Sequence, residues 1–174
     1  MAETLQVLLD RRSYRQYEDK PVPRELLEKI AKAGTYAATG MGKQSPSIVC
    51  ITDKETRDAL ERMNGAVMGN PDSKPFYGAP VVFVVLADKS MAGTYLYDGS
   101  LVLGNMMNAA ADLGLGSCWI HRAKEEFDSD EGKAILKNLG IEGDYEGIGH
   151  CILGYAAQEN KTAAPRKENY IYHI

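Results

Sequence analysis

A chain of 174 residues with 44% hydrophobic and 25% charged side chains has the mix of a globular domain that can bury one sizeable core. The net charge of −4 and a pI of about 5.4 argue against a broad nucleic-acid-binding surface. The longest apolar run, Val81 to Ala87, is too short to span a bilayer, so no membrane partner is expected.

In chain order, Leu5, Leu8 and Leu9 recur at helical spacing and predict a helix over about residues 3 to 11. This mixed amphipathic start, Met1 to Asp10, does not read as a signal peptide. Pro23 opens a second helix, with Leu26, Leu27, Ile30 and Ala31 inward and Gly34 at its end. Tyr36 to Ser47, rich in Gly, Thr, Ser and Pro, reads as a loop, and Ile48 to Thr52 as a short strand. Thr52-Asp53-Lys54-Glu55 reads as a capping box for a helix over about 53 to 63, followed by a loop from Gly65 to Gly78. Val81 to Leu86 then forms a strand buried on both faces.

The longest predicted helix runs from about Thr94 to Leu113 and is apolar round most of its circumference, which places it in the core or in a subunit interface. Gly116 to His121 predicts a strand, Glu126 to Leu139 a helix stopped by Gly140, and Ile148 to Tyr155 a strand. The tail is polar, then basic at Arg166-Lys167, then apolar from Tyr170 to Ile174. No repeat or linker divides the chain, so one α+β domain over residues 1–174 is expected. Three cysteines (Cys50, Cys118, Cys151) without a CxxC pair suggest reduced, buried thiols and a cytoplasmic protein. The glycosylation sequon at Asn160-Lys161-Thr162 reads as chance.

Arg11-Arg12-Ser13-Tyr14-Arg15 places three guanidinium groups and a hydroxyl within five residues. Arg forks match phosphate oxygens bidentately and Ser adds a neutral donor, so the cluster reads either as an anion site or as a solvated basic turn. Other candidate motifs fail. Gly40-Met41-Gly42-Lys43-Gln44 lacks the first P-loop glycine, where Ala37 stands, and the hydroxyl residue after Lys43. Gly114-Leu115-Gly116 enters a strand, and Trp119 occupies the place of a third Rossmann glycine. No metal-ligand spacing is present, and adjacent His150 and Cys151 point to opposite faces of a strand. His150 reads as a satisfied histidine in or near that strand, and no Ser/His/acid set can be assembled.

Five segments in order resemble the nitroreductase superfamily of FMN-dependent oxidoreductases, in its short members. They are Arg11 to Arg15, the loop Tyr36 to Gln44, Tyr77-Gly78-Ala79-Pro80 before the valine strand, Asp98 through Gly114-Leu115-Gly116-Ser117-Cys118-Trp119-Ile120, and Pro165-Arg166-Lys167. The resemblance implies a mixed, mostly antiparallel sheet flanked by helices, in an intertwined homodimer with the flavin at its interface. It implies that Arg11, Arg15 and Arg166 neutralise the FMN phosphate, with Lys167 as a further partner, while Arg12 and Ser13 hold tail or ring oxygens. Thr39 and Gln44 would approach the ribityl or ring edge from the other subunit, and the backbone of Trp119, Ile120 and His121 would face the ring, with an amide near N5.

Chemistry is then carried by FMN and no catalytic side chain is required. The resemblance implies that hydride would pass from NADH or NADPH to flavin N5 and on, in ping-pong fashion, to a nitro compound, quinone or related small-molecule electron acceptor. The apolar tail, Tyr170 to Ile174, is expected to add a strand to the partner. The chain departs from the family pattern at Gly42, where an Asn is usual, and at Ala38 and Thr39. Lys43, Gln44 or Asn70 can substitute for the lost contact, and Lys43 also counts as a substrate-pocket residue. His121-Arg122 stand where small residues are usual, and either narrow the pocket, bind an anionic substrate or point to solvent. A flavin carrier or sensor without nicotinamide turnover, and a structural domain without cofactor, are the alternative readings.

Overall fold

The computed structural model describes residues 3–159 and 162–174, so the first two residues of the sequon lie outside the described residues. The core of the fold is a four-stranded antiparallel sheet, in the order β1-β2-β4-β3, built from β1 (Pro46–Ile51), β2 (Val81–Asp88), β3 (Gly116–Ile120) and β4 (Tyr145–Gly154). Among the described residues the one parallel pairing is an isolated bridge between Ser13 and Ser117, which lays the Arg11–Arg15 segment along the outer edge of β3.

All eight residues of β2 are buried, as its apolar run predicts. Val81, Phe83, Val85 and Ala87 pack on one side, against α2 (Arg24–Thr35) and α4 (Tyr95–Asp112). Val82, Val84 and Leu86 pack on the other, against α3 (Lys54–Val67), α5 (Ala123–Asp128) and α6 (Asp130–Asn138). The period of two thus feeds two apolar layers, one on each face.

Several boundaries differ from the sequence reading. The helix α1 (Thr4–Asp10) buries only Val7 and leaves Leu5, Leu8 and Leu9 exposed. The N-cap of α3 is Asp53 and not Thr52: the Asp53 carboxylate accepts the Thr56 N–H at 2.8 Å, and the helix runs on to Val67. The expected single helix over Glu126 to Leu139 is two helices. Ser129 adopts an extended conformation between them, donates from Oγ to the Glu126 carbonyl and accepts from the Gly132 N–H, so it closes α5 and caps α6. The strand β4 begins at Tyr145, three residues before the apolar run that marks it. Cys50 is exposed, because β1 pairs only with β2 and leaves its other edge open; Cys118 and Cys151 are buried as expected. Burial pushes the Cys151 thiol up to about 12, with Cys118 adding to the rise and the Arg11 guanidinium opposing it.

Candidate active site

The N-terminal segment is stitched to the end of the sheet by backbone bonds. Tyr14 N–H donates to the Ser117 carbonyl, Glu18 N–H to Tyr155, and the Ala157 N–H to Gln16. These ties turn a flexible basic run into a fixed one. Arg12 spends its guanidinium locally, donating to the Leu9 and Arg11 carbonyls at 2.7 and 2.8 Å, where it closes the end of α1. Arg15 is exposed and lies over the Tyr77 ring at 5.9 Å. Arg11 differs from both. Its Nη1 is buried and has no hydrogen-bond partner, and it sits near enough to Cys151 to lower that thiol's pKa. A buried guanidinium nitrogen without an acceptor fits an anion such as the FMN phosphate. Ser117 Oγ, beside the same splice, is the other buried side-chain polar atom without a partner among the described residues.

The loop after α2 is held by a residue whose role the sequence reading missed. Asp98 on α4 is buried and accepts from Gly40 N–H at 3.0 Å, Ser45 Oγ at 3.2 Å and Thr94 Oγ1 at 3.2 Å. A side chain on Gly40 would meet Thr94 Oγ1 at 2.1 Å, so the close approach of loop to helix requires glycine there. Within the loop, Thr39 Oγ1 accepts from the Gln44 N–H at 3.2 Å, and Met41, Gly42 and Gln44 all lie in the left-handed region. Thr39 and Gln44 line a groove of about 540 Å³ beside β1, whereas Lys43 is exposed and outside its lining. Asn70 caps its own turn, accepting from the Asp72 N–H.

At the other end of β3, the Trp119 indole rests on Gly149, where a Cβ would meet it at 2.9 Å. Beyond Ile120 the chain turns through exposed His121 and half-buried Arg122 into α5. Among the described residues, neither the His121 nor the Arg122 N–H meets a backbone acceptor, so the corner presents free donors. A buried polar network lies behind it. His150 satisfies both ring nitrogens, on the Ile120 carbonyl at 3.2 Å and on Glu126 Oε2 at 3.0 Å. Asn64 donates to Glu126 Oε1 and to the His121 carbonyl, and accepts from Arg122 Nε. The sequence reading of His150 as satisfied holds; Asn64 and Glu126 carry no periodic or motif signal and went unmarked.

The tail stays apart from these elements in the single chain. Arg166 is exposed and donates to the Ala164 carbonyl of its own segment, and Lys167 lies over the Tyr170 ring at 5.2 Å. Tyr170, Ile171, Tyr172 and Ile174 are exposed.

The basic segment is thus spliced to one end of the edge strand β3, and the His121–Arg122 corner closes the other. The chain belongs to the nitroreductase family, whose model matches residues 8–155. It is similar to a nitroreductase with bound FMN from Bacteroides fragilis, with 26% identity, full coverage of both chains and a TM-score of 0.89. A second FMN-bound nitroreductase, from Desulfitobacterium hafniense, has 26% identity, full coverage of both chains and a TM-score of 0.84. In sequence it resembles an FMN reductase [NAD(P)H] of Bacillus subtilis, 30% identical over 135 residues, which are 67% of this chain and 53% of that protein. The chain spans from 53% to 60% of the length of most of the curated relatives it matches, and 88% of one from Archaeoglobus fulgidus.

Proposed function

We propose that this chain is an FMN-dependent oxidoreductase that draws on NADH or NADPH and reduces a small acceptor such as a nitro compound or a quinone. The observation that carries this reading is the buried, unpartnered Nη1 of Arg11 beside the β3 splice. Family membership and the FMN-bound neighbours support the FMN phosphate as that anion. Arg11, Ser13 and Arg15 would hold the phosphate and polyol, joined by Arg166 and Lys167 from a tail. The free N–H groups of His121 and Arg122 would donate to the ring edge, where negative charge develops during reduction. Bound FMN supplies the two-electron chemistry, and the protein supplies position, field and the shape of the pocket.

A homodimer is part of the same proposal. On α4, Leu96, Tyr97 and Leu101 face solvent, as do Leu5, Leu8 and Leu9 of α1 and the side chains of the apolar tail. The outer edge of β1 lacks a strand partner among the described residues, and grooves lie along it on both faces. An added strand from a partner's tail would satisfy that edge and cover the apolar side chains together.

Purified protein, reconstituted with FMN if needed, is expected to be yellow, to bleach under anaerobic NADH or NADPH, and to scatter light as a dimer. A colourless chain that cannot be reconstituted overturns the flavin assignment. A yellow protein that neither nicotinamide bleaches is instead a flavin carrier. A monomeric holoprotein overturns the dimer.

A further inference from the structure

Arg122 forms no ion pair among the described residues. Arg122 carries the chain from β3 into α5 at φ 79° and ψ 10°, in the left-handed region where a side chain with a Cβ is strained. Its Nε donates to Asn64 Oδ1 at 2.9 Å, and among the described residues that neutral amide is the one side-chain partner of its guanidinium, which forms no ion pair. A half-buried guanidinium so placed is costly unless something supplies an acceptor.

The amide that holds it is itself fixed. Asn64 is fully buried, and its Nδ2 donates to the His121 carbonyl at 2.8 Å and to Glu126 Oε1. Glu126 in turn meets His150 Nε2, while His150 Nδ1 faces the Ile120 carbonyl. A carbonyl only accepts, so Nδ1 carries a hydrogen, and the contact between Nε2 and Oε2 holds one further proton. With both Nδ2 hydrogens committed, Asn64 can offer Arg122 only its oxygen. The network therefore aims one edge of the guanidinium inward and leaves the Nη edge for a ligand. Arg122 directly follows Trp119–His121, the backbone assigned to the flavin ring.

We propose that Arg122 is a specificity-determining residue that reads an anionic group, a carboxylate or comparable oxyanion, on the electron acceptor, and that Asn64 is the positioning residue that holds it. This rests on the FMN-oxidoreductase reading. Such an acceptor would supply the guanidinium with the partner it lacks, at a backbone position whose strain the surrounding packing sustains.

The test uses FMN-loaded protein and matched acceptors. Benzoate and benzamide are titrated into oxidised holoprotein and followed by flavin absorbance, and kcat/KM is measured for 4-nitrobenzoate and 4-nitrobenzamide. The wild type is expected to favour the anion in both assays. Arg122→Gln should cut that preference about tenfold, mainly through KM, the scale of one charge-assisted hydrogen bond. Arg122→Lys, which keeps the charge but loses the fork, should restore part of it. A wild-type holoprotein without anion preference overturns the proposal, as does an Arg122→Gln variant whose preference is intact. A variant that loses FMN affinity while keeping the preference assigns the guanidinium to the flavin and also overturns it. A chain that binds no FMN fails the functional reading itself, and this proposal falls with it.

Discussion

Replacing Arg11 by methionine separates a ligand-binding cation from a structural one, because the two roles predict opposite signs. Methionine matches the length of the Arg stem and packs without polar demands. Nη1 is buried without a partner among the protein's own groups. An unsatisfied buried donor costs about 1–3 kcal/mol, so the substitution should leave the apoprotein equally stable or raise its unfolding free energy by about 1 kcal/mol. In the FMN-bound protein the same nitrogen would make a charge-assisted bond to a phosphate oxygen. Losing it should cost about 1.5–3 kcal/mol, which weakens FMN binding about 10- to 150-fold. Urea unfolding of the apoprotein gives the first number, and quenching of FMN fluorescence on titration gives the second. An Arg11→Met variant with unchanged FMN affinity and an apoprotein weakened by more than about 1 kcal/mol would refute the phosphate assignment.

Three further outcomes follow from the packing. Asp98→Ala strips acceptors from Gly40, Ser45 and Thr94 and should destabilise the protein by about 3 kcal/mol, whereas Asp98→Asn, which keeps an acceptor, should cost about 1 kcal/mol; equal losses in chemical denaturation would contradict the reading that an acceptor oxygen at this position is what holds the loop. Arg122→Ala keeps the left-handed strain and loses the Asn64 bond, while Arg122→Gly relieves the strain, so the Gly variant should melt higher, being more stable by about 1 kcal/mol. The Cys151 thiol is raised by burial from 9.0 to about 12 in the folded state. It stays protonated there while the unfolded chain ionises, so unfolding free energy should fall as pH rises from about 9 to about 12. Cys151→Ala should flatten that slope; an unchanged slope would assign it to other groups.

Much of the fold can be read along the chain. The unbroken apolar run of β2 announces two covered faces, and Pro23 with Gly34 marks the limits of α2 closely. Signals of this kind are local, since a propensity, a cap or a period needs only near neighbours. Capping is less determinate: Thr52 and Asp53 both suit an N-cap, and the better acceptor geometry of Asp53 decides. Likewise Ser129 is unremarkable within a helical pattern, yet it ends one helix and begins another because α6 folds back against Glu126.

The candidate site divides the same way. Arg11, Ser13 and the Gly116–Ile120 strand are legible because they lie in short motifs. Their order of importance is not, for only packing buries the Arg11 nitrogen while Arg12 closes its own helix and Arg166 turns back on its tail. Asp98, Asn64 and Glu126 are invisible as a set, since all but one of their side-chain partners stand 24 to 62 residues away in the chain. By itself the sequence determined the two-faced sheet, the helices that cover it and the basic segment suited to a phosphate. Tertiary structure alone decided which guanidinium lacks an acceptor, because that depends on groups brought together by burial, where an unmet hydrogen bond is expensive and a distant residue can meet it.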